Sequence, residues 1–166
     1  MNNEGKAPYI ICTYTAAMLT GKSVRTVQRW ISDDELPSIS SGSSEQTGAN
    51  ITKAMLDITS LASQIPIPLT DDTITAILRA ESGEAEGINS VGLYFYGAGQ
   101  YKIAVGWFES AAKKGHADAM EWLSICYLNG IGVEKNHALG VQWLGKAAAL
   151  GHVFAKTKLQ ALGFEI

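Results

Sequence analysis

The second half of the chain repeats itself, and the period restricts what it can fold into. The run Trp107, Phe108, Glu109, Ser110, Ala111, Ala112, Lys113, Lys114, Gly115, His116 returns 36 residues later as Trp143, Leu144, Gly145, Lys146, Ala147, Ala148, Ala149, Leu150, Gly151, His152. Upstream, Val91, Gly92, Leu93, Tyr94, Phe95 returns 32 residues later as Leu123, Ser124, Ile125, Cys126, Tyr127. The difference falls in a loop, where Gly99, Gln100, Tyr101 is replaced by the longer Gly132, Val133, Glu134, Lys135, Asn136, His137. A repeat of this length is one helical hairpin, which cannot bury its apolar face alone, so copies must stack. The second half is therefore expected to be a binding scaffold.

Apolar spacing predicts helices at about 73–82, 86–97, 101–114, 118–129, 137–149 and 153–162. The last, a single helix, reads as a terminal cap on the stack. Ile65, Pro66, Ile67, Pro68, Leu69 precedes the array, and two prolines so close forbid a helix there. Residues 1–64 form one expected domain, 65–71 a proline-containing linker and 72–166 the repeat domain.

The first domain has its own punctuation. Thr13 is expected to cap a short helix carrying Ala16, Ala17 and Leu19, which Gly21 ends. Ser23 then caps a second helix from Val24 to about Ser32, with Val27, Trp30 and Ile31 towards a core and Arg25, Gln28 and Arg29 on the other side. Asp33, Asp34, Glu35 ends it, and Leu36, Pro37, Ser38, Ile39 reads as extended chain. Ser40 to Asn50 is a polar loop, Ile51 a short returning strand, and Thr52 the cap of a third helix holding Ala54, Met55, Ile58, Leu61 and Ala62.

Composition narrows the function classes. A net charge of −3 gives no bulk attraction to nucleic acid or to an anionic membrane, so any DNA contact must come from a local patch. Two cysteines, Cys12 and Cys126, make no disulfide framework and read as cytosolic thiols. No apolar run approaches the ~20 residues that span a bilayer, and residues 1–6 lack the pattern of a secretory signal. A cytoplasmic location without membrane contact is expected.

The second half resembles a tetratricopeptide-type array, and more closely its Sel1-like relative. Val91, Gly92, Phe95, Ala104, Phe108 and Ala111 carry the first unit. Leu123, Ser124, Tyr127, Leu144 and Ala147, with Trp143 and Gly151-His152, carry the second, which departs in having Ser124 for glycine and Gly140 for alanine. The first half resembles the small winged helix-turn-helix of the excisionase and MerR-like groups. The matching residues run from Ala16 to Ser23, from Arg25 to Ile31, and from Glu35 to Ile39. In that family the helix after the serine cap enters the major groove. The wing would be Ser40 to Gln46, without the usual basic residues. The fold class implied is mainly α: a small winged helix-turn-helix domain plus an α-solenoid of about two and a half Sel1-like repeats.

Candidate residues follow. Lys22, Ser23, Arg25, Thr26, Gln28 and Arg29 form the DNA-binding set. Arg25 and Gln28 would reach base edges and Lys22, Thr26 and Arg29 the backbone, while the Ser23 helix N-terminus would receive a phosphate. The alternative is a solvated face beside Asp33, Asp34 and Glu35. Tyr94, Tyr96, Lys102, Glu121 and Gln142 are candidates for a protein-binding face, whereas Tyr101 and Trp122 read as packing between helices. His116 and His152 sit at equivalent positions but follow helix-ending glycines, which reads as a joint between repeats and not as a metal site. Cys126 reads as core. No catalytic constellation or cofactor motif is present. The chain is expected to be a non-enzymatic DNA-binding regulator whose array brings a protein partner or a homodimer, or else an adaptor whose first domain has lost DNA contact.

Overall fold

The computed structural model describes residues 8–39 and 54–165, so Ile51, Thr52 and the expected wing at 40–46 lie outside the described residues. The chain divides into two compact units, Met1–Ile74 and Thr75–Ile166. No helix among the described residues is long and apolar enough to cross a membrane.

In the first unit, strand β1 (Ile10–Cys12) runs directly into helix α1 (Thr13–Thr20), which ends at Gly21 in the left-handed region. Cys12 occupies the cap position without a side-chain cap bond, and Thr13, expected to be the cap, is instead the first helical residue and is buried. The strand leads straight into the helix, so no residue is left outside it to turn a hydroxyl back. Helix α2 (Val24–Ser32) begins as expected: the Ser23 hydroxyl accepts the Thr26 N–H at 3.1 Å. Its core side is narrower than the spacing implied. Val27 is fully buried, whereas Trp30 and Ile31 are half-buried. Asp34, at φ 55°, takes the left-handed conformation that closes the turn after α2, a region Asp tolerates better than most residues.

The expected helix over Ala54–Ala62 is not what forms. Met55–Asp57 is a strand, β3, followed by a one-turn 3-10 helix, Ile58–Leu61. β3 lies between β1 and strand β2 (Ser38–Ile39), antiparallel to both. Met55, Ile58 and Leu61 have helical spacing, but the β-branched Ile10 and Ile11 need a paired strand. The register places Ile11 opposite Leu56, and both are fully buried. The Ile58 N–H then donates to the Tyr9 carbonyl at 2.9 Å, and the Asp57 carboxylate caps the 3-10 turn by accepting from Thr59. The proline segment that follows alternates, with Ile65 and Ile67 buried and Pro66 and Pro68 exposed. The Thr73 hydroxyl donates to the Pro68 carbonyl at 2.9 Å and ties this segment to the start of helix α3 (Asp71–Glu81).

In the second unit, helices α4 (Ala85–Gly97), α5 (Tyr101–Lys113), α6 (Ala117–Asn129), α7 (His137–Ala149) and α8 (Val153–Ala161) follow the sequence expectation to within a residue at most ends. α4 packs with α5 and α6 with α7 as hairpins, while α5 meets α6 and α7 meets α8. The hairpins close where a side chain is missing. A Cβ at Gly92 would stand 2.7 Å from two ring carbons of Phe108, and one at Gly140 would stand 2.6 Å from Leu128 Cγ. Glycine at 140 therefore lets Leu128 fill the space a methyl group would take. Phe95, Phe108, Leu123 and Leu144 are fully buried within these hairpins.

Gly92→Ala is expected to destabilise the array by about 1–3 kcal/mol through overpacking on Phe108. Gly145→Ala, in the interior of α7 with nothing within 4 Å of the added Cβ, is expected to stabilise it by about 0.5–1 kcal/mol. Urea unfolding of the two variants checks the pair.

Candidate functional site

Each joint between hairpins is built around one histidine. His116 Nδ1 accepts the Ala119 N–H at 3.3 Å and caps α6, which leaves Nε2 as the donating nitrogen, 2.9 Å from Glu86 Oε2. His152 does the same for α8: Nδ1 accepts the Ala155 N–H at 3.2 Å, and Nε2 lies 3.0 Å from Asp118 Oδ1 and 3.4 Å from Glu121 Oε2. Glu86 and Asp118 are 32 residues apart, the same offset as Val91 and Leu123, so the contact is part of the repeat. That offset is the sequence signal for these two acids. The hydrogen bond from His116 holds the Glu86 carboxyl below its ordinary pKa range.

Around these shared contacts the two joints differ. At the first, Trp122 stacks on Phe108 (ring centroids 5.9 Å apart, planes at 13°) and lies 4.9 Å from Tyr96, which Tyr101 meets edge-on at 5.1 Å. At the second, the position of Trp122 is taken by Lys158, whose amine pairs with Glu121. Aromatic contact is thus replaced by an ion pair, held where the Glu121 side chain is only 16 % exposed.

The expected protein-binding residues fall into separate settings. Tyr96 is inside the aromatic cluster, and Glu121 is engaged by Lys158 and His152. Tyr94 is 38 % exposed and, two residues from Tyr96, lies on the opposite side of α4. Lys102 and Gln142 are exposed. The structure brings Tyr96, Tyr101 and Trp122 together and does not gather the five candidates into one patch. Burial pushes the Cys126 thiol up to about 11, which leaves it without nucleophilic character at neutral pH.

In the first unit, Lys22, Ser23, Arg25, Gln28 and Arg29 are exposed and Thr26 is half-buried. Ser23, Arg25, Thr26, Gln28, Arg29 and Ser32 line one shallow concavity of about 550 Å³. The spacing of Arg25, Gln28, Arg29 and Ser32 makes them one stripe of α2. The Ser23 and Thr26 hydroxyls are hydrogen-bonded to each other at 2.9 Å.

His116→Ala is expected to cost about 1 kcal/mol of stability, and His116→Asn, which keeps a capping oxygen, to recover most of that loss in thermal unfolding. Because the folded Glu86 pKa is depressed, its contribution is present above about pH 4.5 and is lost as pH falls through the lower folded value. Glu86→Gln is expected to flatten that acid limb of the pH–stability profile.

The repeat has a known counterpart. Residues 85–116 and 117–152 each match the Sel1 repeat. No curated protein and no solved structure matches the chain. Helices α4–α5 and α6–α7 are two Sel1 repeats stacked as an α-solenoid in a mainly helical chain, and repeats of this kind point to a protein-interaction domain.

Proposed function

We propose that this chain is a non-enzymatic, DNA-binding regulatory protein, in which α2 reads DNA and the Sel1 array recruits a protein. One observation carries the reading: Lys22, Arg25, Gln28 and Arg29 are all solvent-exposed at and along α2, and Arg25, Gln28 and Arg29 line one shallow concavity. A helix with such a stripe fits the major groove, where arginine pairs with guanine and glutamine with adenine. Lys22 and Arg29 would contact phosphates and set the position of α2 on the duplex. Thr26 would touch the backbone by donating its O–H to a phosphate, with the Ser23 hydroxyl 2.9 Å away then donating to Thr26 Oγ1. The resemblance of residues 16–39 to winged helix-turn-helix domains supports the same assignment. Three cations per chain are few, so binding would be weak, salt-dependent and strengthened by two copies on adjacent half-sites. On the array, Tyr94, Lys102 and Gln142 remain the exposed candidates for partner contact, while Tyr96 and Glu121 are engaged by neighbouring helices.

The second reading is an adaptor without DNA contact. It is favoured by the exposed Asp33, Asp34 and Glu35, which follow α2 directly and offset its positive charge.

Selection of bound fragments from mixed genomic DNA at low and moderate salt separates the two. The regulator is expected to enrich a common site, and the Arg25→Ala, Arg29→Ala double variant to lose retention at least tenfold with unchanged thermal unfolding, because both side chains are exposed. Absence of enrichment from a folded protein leaves the adaptor.

A further inference from the structure

The two ends of the α2 stripe are chemically opposite. Its N-terminal end carries Lys22, the hydroxyl pair of Ser23 and Thr26, and Arg25, together with the positive end of the helix dipole. Its C-terminal end runs into three consecutive acids, Asp33, Asp34 and Glu35, all exposed. Asp33 is close to the stripe itself. The Ser32 hydroxyl, at the far end of the concavity, donates to the Arg29 carbonyl at 2.8 Å and lies 3.3 Å from Asp33 Oδ1. The turn that follows is hydrogen-bonded back to α2. The Asp33 N–H donates to the Arg29 carbonyl at 2.9 Å, and the Glu35 and Leu36 N–H groups donate to the Trp30 carbonyl at 2.9 and 3.1 Å, around Asp34 at φ 55°. The three carboxylates are therefore held at the helix end by an ordered turn and not by a free tail.

This order of charge decides how α2 can meet a duplex. Nine residues at a rise of 1.5 Å make α2 about 13 Å long, close to the ~12 Å width of the major groove, whose two rims are phosphates. A helix of that length laid from rim to rim would set Asp33, Asp34 and Glu35 against one row of phosphates. Entry by the N-terminus points the same acids out of the groove. It also turns Lys22 and the dipole towards phosphate and leaves Arg25 and Gln28 within reach of base edges. Arg29, one turn further from the tip, then meets the rim.

We propose that Asp33, Asp34 and Glu35 are specificity determinants of α2: by repelling phosphate they reject lengthwise, sequence-blind contact and leave the N-terminal entry in which Arg25 and Gln28 read bases. The inference rests on the DNA reading above and gives a role within it to acids that otherwise weigh against it. Non-specific affinity comes from neutralised phosphates, so three carboxylates beside the cations Lys22, Arg25 and Arg29 lower it most. A site that also rewards base contacts loses less. A repulsive element of this kind separates right from wrong targets without adding a contact to the right one.

The test titrates the full chain and an Asp33→Asn, Asp34→Asn, Glu35→Gln variant with a short mixed-sequence duplex, and with any fragment enriched from genomic DNA, at low and moderate salt. Asparagine tolerates the left-handed conformation at 34 and keeps an acceptor for Ser32 at 33, so thermal unfolding is expected to be unchanged. Binding to the mixed duplex is expected to tighten roughly tenfold or more at low salt and less at moderate salt, and the preference for the enriched fragment to shrink accordingly. Adding Arg25→Ala and Arg29→Ala is expected to abolish the gain. Asp72→Asn, Glu134→Gln and Glu165→Gln together make the same change of charge at exposed acids elsewhere in the chain and are expected to give little of it. Equal tightening by both charge variants, none by the first, or a gain that survives loss of Arg25 and Arg29 overturns the proposal. A parent chain that enriches a site in any of those cases keeps the DNA reading without it. A parent chain that binds no DNA, beside a first variant that does so through Arg25 and Arg29, upholds the rejection of sequence-blind contact and removes the regulator reading alone. Folded parent and variant that both ignore DNA overturn the two together.

Discussion

One imidazole per joint holds the array to its path. Its Nδ1 satisfies an N–H at the start of the following helix, and its Nε2 reaches back to an acid one helical hairpin earlier. The first bond fixes where the helix begins; the second fixes that helix against its predecessor. Because the same side chain makes both, the turn after Gly115 or Gly151 cannot vary without breaking a cap or an interhelical contact. A stack whose units touch only their neighbours depends on such joints, since no distant contact is available to correct them.

Within that shared device the two repeats are tuned differently. The first joint is closed by the Tyr96, Phe108 and Trp122 rings, a contact insensitive to salt and built from large buried area. The second is closed by Lys158, Glu121 and His152, whose attraction is screened by ions. Lys158 in the place of Trp122 leaves α8 more polar towards the array.

Legibility in the sequence varied with how local the determining interaction is. The helices of the array were legible because each signal recurs: Gly92 and Ser124 at one register, Ala111 and Ala147 at another, and the two Gly-His pairs. The α2 cap was legible because Ser23 and Thr26 are three residues apart. The strand at Met55–Asp57 was not, because its partner β1 lies more than forty residues away, β2 is only two residues long, and its own spacing suits a helix equally well. The exposed stripe on α2 was readable from periodicity. The loss of Tyr96 and Glu121 to internal contacts was not, since Trp122 and Lys158 come from other helices.

The sequence by itself determined that residues 85–152 form stacked helical hairpins, where each helix starts and stops, and which face of α2 carries its charge. These are consequences of near-neighbour spacing, capping and a repeated apolar pattern. Only the tertiary structure decided that Ile11 pairs with Leu56 across a small sheet, that Glu86 and Asp118 receive the joint histidines, and that Phe154 and Leu162 are left uncovered. Each of those depends on which distant element packs against a surface, and burial is a property of the assembled chain, not of any window along it.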